Sequence, residues 1–303
     1  MTAHRSRCYR RERVCSSEDT SLNPSARLRR TPGPRDALSA VAVRLGRLLL
    51  RRGPNAGRGY VSDEAPVIIA GMHRSGTSLV SRLLERAGLY VGGAWVDDNH
   101  EAFHFLRANR AMIGEATYRL HDYGWSAPKT DAFIQARRGY AQRAAANAGP
   151  FFAERASEAA WGWKDPRNCL TLPVWLTIYP NARVLHVLRD GRAAALSLAD
   201  RDALDPSFGL DLWGHYVMRA ERALESVLEE RKRTVRYEDL LASPADALPP
   251  LLDFAGLSPA ESIDALAASI DTTRVQARLE DPRLAEVGSH PLLARYGYVE
   301  GTE

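Results

Sequence analysis

Val67-Ile68-Ile69-Ala70-Gly71-Met72-His73-Arg74-Ser75-Gly76-Thr77-Ser78-Leu79 is the stretch on which the fold turns. Its first four residues follow Pro66 and read as a short, fully buried strand. Gly71 to Ser78 is a loop of glycine and hydroxyl residues. Residues 78–87 then carry Leu79, Leu83, Leu84 and Ala87 on one helical stripe, closed by Gly88. Strand, glycine loop and helix in that order bring backbone N–H groups and a helix N-terminus to one spot, which suits a phosphate. A Walker A loop has its lysine directly after the second glycine. Here Thr77 stands there, and the cation, Arg74, comes two residues before Gly76. Such a loop is a poor cradle for ATP or GTP.

Outward from this loop, the pattern predicts helices over 98–118, 168–179, 191–200, 210–230, 244–255 and 260–269. Strands are predicted to end at Lys164 and to cover 182–188 and 234–237. Strands alternating with helices mean a parallel sheet flanked by helices. The expectation is one α/β domain over 63–303 with a phosphate-binding loop after its first strand, preceded by a basic leader over 1–62 with room for one short amphipathic helix.

Composition narrows the function. Hydrophobic residues make up 45% of the 303 and charged residues 26%, enough for a full core. The most apolar run of the leader, 38–50, is interrupted by Arg44 and Arg47 and is too short to span a bilayer. Cys8, Cys15 and Cys169 make no disulfide framework, so a reducing, cytoplasmic setting is expected. The net charge of +4 hides an asymmetry: residues 1–60 hold 14 arginines against four acids, leaving 27 basic and 33 acidic residues in the rest. The leader reads as a solvated tail, a targeting peptide or a nucleic-acid arm. The folded part is mildly acidic, and no specific nucleic-acid partner is expected.

A second motif is Val184-Leu185-His186-Val187-Leu188-Arg189-Asp190-Gly191, continuing to Ser197. Arg189 ends a buried strand, where ligands bind in open α/β sheets. On a helix begun near Asp190, residues 190, 193, 194 and 197 share a stripe, so Arg189 and the Ser197 hydroxyl make a second anion site. An Arg189–Asp190 ion pair is the plainer alternative.

Together these motifs resemble the sulfotransferases that use 3′-phosphoadenosine 5′-phosphosulfate (PAPS), over roughly residues 65–257. The family's loop for the 5′-phosphosulfate matches Arg74, Ser75, Gly76, Thr77, Ser78 and Leu79. Its 3′-phosphate motif, an arginine ending a strand and a serine eight positions on, matches Arg189 and Ser197. The segment Arg236-Tyr237-Glu238-Asp239 is similar to one whose tyrosine approaches the adenine, which gives that role to Tyr237. The resemblance implies transfer of a sulfuryl group to a hydroxyl or amine of a small-molecule or glycan acceptor, with no metal.

Trp163-Lys164-Asp165-Pro166-Arg167 resembles the K-x-P-R segment of bacterial and carbohydrate-type members. There Lys164, with Arg74, would neutralise charge on the leaving phosphate oxygen. Lys164 is also one of only three lysines in the chain, beside Lys129 and Lys232. Where cytosolic members carry a histidine base this chain has Pro166. The resemblance offers Glu101, in Asp98-Asn99-His100-Glu101-Ala102-Phe103-His104, as the base, with His100 and His104 behind it. Asp98-x-x-Glu101 is equally a capping box closing a helix start. His100-Glu101-Ala102-Phe103-His104 also satisfies the H-E-x-x-H zinc pattern, so a zinc hydrolase, like a P-loop kinase or NTPase, is an alternative. The aromatics Tyr118, Tyr123, Trp125, Phe133, Tyr140, Phe151, Phe152 and Trp161 are candidates for the acceptor pocket.

Overall fold

The computed structural model describes residues 59–92, 95–96, 101–114, 131–149, 151–152, 155–156, 159–271 and 281–299. The leader through residue 58, His100, Tyr118, Tyr123 and Trp125 lie outside the described residues. In chain order, β1 (Val67–Ala70) leads to α1 (Thr77–Arg86), β2 (Trp95–Val96), β3 (Glu101–Ala102) and α2 (Phe103–Ile113). Then come α3 (Asp131–Ala136), α4 (Gly139–Ala146), β4 (Gly162–Lys164), α5 (Asn168–Ile178), β5 (Arg183–Leu188), α6 (Gly191–Asp202) and α7 (Pro206–Leu224). The chain continues through β6 (Lys232–Arg236), α8 (Tyr237–Ala242), α9 (Pro244–Ala255), α10 (Ile263–Ala268) and α11 (Pro291–Arg295).

Four of these strands form one parallel sheet in the order β4-β1-β5-β6. Val67 lies beside Gly162 on one side and Arg183 on the other, and Leu188 lies beside Arg236. Successive side chains on a strand point to opposite faces, and the core divides accordingly. Ile68, Ala70, Val184 and Leu188 face a cluster with Phe105, Trp163, Trp175, Leu210 and Trp213. Val67, Ile69, Leu185 and Val187 face Val80, Leu84, Leu240 and Leu251. Helices therefore cover both faces. The chain leaves β1 for β4 on one side and then crosses to β5 on the other, and such a switch in strand order opens a crevice at the carboxyl ends.

Two expected boundaries move for physical reasons. The long helix starts at Pro206, where the Asp205 side chain accepts from the Ser207 N–H at 2.8 Å and proline takes the first turn; apolar spacing alone does not see that cap. The helix expected from residue 98 begins only at Phe103. Glu101 and Ala102 instead pair antiparallel with Val96 and Trp95, and the helix N-cap is Ala102, with no side-chain cap bond. Asp98, the other end of the expected capping box, lies outside the described residues, while Glu101 is in a strand and its carboxylate meets buried cations described below.

Candidate active site

The carboxyl ends of all four parallel strands deliver a polar group to one place: β1 the loop 71–76, β4 Lys164, β5 Arg189 and β6 Tyr237. α1 begins at Thr77 with Gly76 at its N-cap and no side-chain cap bond. Its first-turn N–H groups therefore face the loop. The Ser75 hydroxyl is buried there without a hydrogen-bond partner. A buried donor left unmatched is costly, and an anion oxygen in the loop would satisfy it.

The loop is locked from two sides. Arg74 has a φ of 68°, which costs a non-glycine residue about 1–2 kcal/mol. Its carbonyl accepts from Arg189 Nη1 at 2.9 Å, and its Nε donates to Ser197 Oγ at 2.9 Å. The two anion sites expected from the sequence are therefore adjacent, joined through Arg74. Gly76 has a φ of 89°, and a Cβ there would lie 2.2 Å from Tyr237 Cδ2. The tyrosine ring thus rests on the glycine, with the Arg189 guanidinium 4.8 Å from its centroid. Asp190 does not serve as the partner of Arg189: its carboxylate accepts from the Arg192 backbone N–H at 2.8 Å and pairs with the Arg192 guanidinium at 2.7 Å.

Beside the loop lies a buried charge network. Lys164 is 2% exposed, and its Nζ is 3.3 Å from Glu101 Oε1. Arg167 Nη1 lies 3.8 Å from Glu101 Oε2 and 3.1 Å from Asp165 Oδ1. Burial pushes the Lys164 pKa down, and the Glu101 and Asp165 carboxylates restore part of the loss. At Arg167 burial is outweighed by the same two carboxylates, which hold its proton more firmly than usual. Asn109, on α2, holds the network from behind. Its Nδ2 donates to Asp165 Oδ2 and Asn168 Oδ1, both at 2.9 Å, and its Oδ1 accepts from Thr171 at 2.8 Å and Trp175 at 2.7 Å.

Sequence reading missed His73 in this constellation, and it gave no role of their own to Arg167, in the K-x-P-R segment, or to Asn109, eight residues after Glu101. Only the fold reveals the contacts of these last two. His73 precedes Arg74 in the loop and meets Tyr216 edge-on at 5.8 Å. Burial, then the positive charges of Arg167, Arg201, Lys164 and Arg74, lower its pKa well below the ordinary histidine value.

Two other expectations change. His100 of the H-E-x-x-H segment lies outside the described residues, and Glu101 and Ala102 are in a strand rather than a helix. His104 Nε2 lies 2.6 Å from the Ala144 carbonyl oxygen, which can only accept from it. Of the aromatics offered for the acceptor, Phe151 and Trp161 are buried in a core stack with Phe105 and Trp163. Phe133 and Tyr140 carry the guanidinium groups of Arg137 and Arg143. The helices α3 and α4 pack mainly against α2 and then against α5.

A sequence model of the sulfotransferase family matches residues 66–261, from just before β1 to the segment before α10. The chain belongs to the sulfotransferase family. Its reaction class is therefore sulfuryl transfer, and the kinase and zinc-hydrolase alternatives fall away. Among solved structures, the sulfotransferase domain from the curacin biosynthetic pathway is 17% identical with a TM-score of 0.50, over 80% of this chain and 100% of that one. The sulfotransferase domain of the Synechococcus PCC 7002 olefin synthase is 18% identical, with a TM-score of 0.48, covering 83% and 92%. A sulfotransferase from Alicyclobacillus acidocaldarius is 18% identical, with a TM-score of 0.49, covering 78% and 93%. The first of these likenesses shows a shared fold. In this sulfotransferase no helix among the described residues is long and apolar enough to cross a membrane.

Proposed function

We propose that this sulfotransferase takes its sulfuryl group from PAPS and passes it to a hydroxyl or amine of a small-molecule or glycan acceptor, without a metal. The reading rests on one observation above all: Arg74, Ser197 and Arg189 meet within hydrogen-bond distance beside the unmatched Ser75 hydroxyl. That is two anion sites sharing a border, as a nucleotide with phosphates at both 5′ and 3′ positions requires. Amides of the loop with Ser75, Thr77, Ser78 and Leu79 would hold the 5′-phosphate. Arg189 and Ser197 would hold the 3′-phosphate, and Tyr237 would approach the adenine.

The acceptor oxygen or nitrogen attacks sulfur, the bond from sulfur to the bridging oxygen breaks, and 3′-phosphoadenosine 5′-phosphate leaves. Glu101 takes the acceptor proton. Lys164 and Arg74 meet the charge that gathers on the bridging oxygen. The 3.3 Å contact between Glu101 and Lys164 couples these two tasks. A carboxyl group that has just gained a proton attracts an ammonium less strongly, so proton transfer to Glu101 frees Lys164 for the leaving oxygen.

Titration of the chain with 3′-phosphoadenosine 5′-phosphate, adenosine 5′-phosphate and ATP plus magnesium tests the reading. The bisphosphate should bind most tightly, and Arg189→Ala should cost it about 10- to 100-fold, far more than it costs adenosine 5′-phosphate. Tighter binding of ATP plus magnesium would refute the choice of donor.

A further inference from the structure

Residues 281–299 lie beyond the stretch that the family model matches, yet Tyr298 reaches the turns that follow β5 and β6. Tyr298 OH donates to Glu238 Oε2 at 3.0 Å. The other oxygen of that carboxylate, Oε1, accepts from the Asp190 backbone N–H at 2.9 Å. Arg192 Nη2 donates to the Tyr298 carbonyl at 2.9 Å and to Asp190 Oδ2 at 2.7 Å. The four residues therefore close a ring: Asp190 to Glu238, Glu238 to Tyr298, Tyr298 to Arg192 and Arg192 back to Asp190. The Arg236 guanidinium covers the Tyr298 ring at 4.7 Å.

The place of this ring gives it meaning. Asp190 directly follows Arg189 and caps α6, which carries Ser197. Glu238 directly follows Tyr237, whose ring lies between Gly76 and Arg189. Two turns from separate strands, each bearing a nucleotide contact, are thus tied together by one carboxylate, and one tyrosine from the C-terminal segment fixes that carboxylate. Burial and the neighbouring Glu238 raise the Tyr298 pKa, so the phenol remains a donor throughout the physiological range. A side chain that accepts at both oxygens has a single orientation, and loss of either partner lets it turn.

We propose that Tyr298 is a positioning residue for the nucleotide: through Glu238 and Asp190 it holds Arg189 where a 3′-phosphate is read. The proposal rests on the donor reading above and goes beyond it, because Tyr298 lies outside the matched stretch and is joined to the residue after Arg189 through Glu238.

The test is calorimetric titration of the full chain and of Tyr298→Phe with 3′-phosphoadenosine 5′-phosphate and adenosine 5′-phosphate. Tyr298→Phe should weaken the bisphosphate by about 5- to 10-fold, part of the worth of one hydrogen bond to a charged group, because the loss reaches the phosphate at second hand. Adenosine 5′-phosphate should change by less than about two-fold, since it lacks the 3′-phosphate that Arg189 reads. In an Arg189→Ala chain, Tyr298→Phe should then have no further effect on the bisphosphate. Arg192→Gln opens the ring from its other side and should give the same selective loss, which keeps the test decisive if Tyr298→Phe does not fold. Equal losses for both nucleotides, or an undiminished loss in the Arg189→Ala chain, would overturn the positioning role. Failure of the unaltered chain to bind the bisphosphate would overturn the donor reading itself.

Discussion

Gly76→Ala separates backbone strain from steric conflict at the centre of the site. Its φ of 89° lies in the left-handed region, where an added Cβ costs about 1–2 kcal/mol. That Cβ would also sit 2.2 Å from Tyr237 Cδ2 and 3.1 Å from Cγ. The proximity of Cγ means that swinging the ring tip is not enough and the whole ring must shift. The Arg189 guanidinium on the ring resists that shift. Overpacking of this kind costs about 1–3 kcal/mol, so the full penalty is about 2–5 kcal/mol. Urea unfolding of four chains (unaltered, Gly76→Ala, Tyr237→Ala and the double variant) resolves the two parts. In the Tyr237→Ala background Gly76→Ala should retain only its backbone cost, leaving a coupling of about 1–3 kcal/mol. A Gly76→Ala penalty that is the same in both backgrounds would refute the seating of Tyr237 on the loop.

Three further outcomes follow from the buried charges. Glu101→Gln should lower kcat by about 10²- to 10⁴-fold. It also removes the carboxylate that opposes burial at Lys164, so the high-pH loss of any residual activity should begin at a lower pH; an unmoved profile would separate the two residues. His186 is buried on β5, its Nε2 has no hydrogen-bond partner, and burial lowers its pKa to about 4. The unfolded chain then binds the extra proton between about pH 6.5 and 4, and stability should fall through that window by about 3 kcal/mol. His186→Met should flatten that part of a stability–pH curve, and an unchanged slope would count against it. Asn109→Asp places a carboxylate where a donor now meets Asp165 Oδ2 at 2.9 Å. It should destabilise the chain by about 3 kcal/mol or more at neutral pH, less in acid, as thermal unfolding across pH would register.

Much of this was legible in the chain because backbone chemistry leaves plain marks. A glycine loop between an apolar strand and a helical stripe identifies itself, and so does an arginine at the end of an apolar run. The parallel sheet, the loop and the helix bearing Ser197 follow from those marks. Long-range pairing was not legible. Nothing in Asp98-x-x-Glu101 tells that its glutamate has a lysine from 63 residues later as partner, so a local cap looked equally sound. The join between Arg74 and Ser197, 123 residues apart, was likewise hidden, and the two anion sites were read as separate. The aromatics misled for the opposite reason. Trp161 and Phe151 satisfy any pattern sought for a pocket, but large rings also fill cores, and only packing decides between the two.

Among the described residues β6 has a single neighbour, β5, and ends the sheet. Its residues Lys232, Arg233 and Arg236 give this edge a basic character, a familiar guard against docking by strands of other molecules. The strand runs directly into Tyr237, and Tyr237 lies on Gly76, so the outermost strand is moored to the loop at the sheet's centre. Any ligand that presses this ring onto the loop also tightens the mooring, and by linkage the strand repays the same free energy to the ligand. Under the proposed donor reading, amide exchange along β6 should therefore slow as the nucleotide site fills.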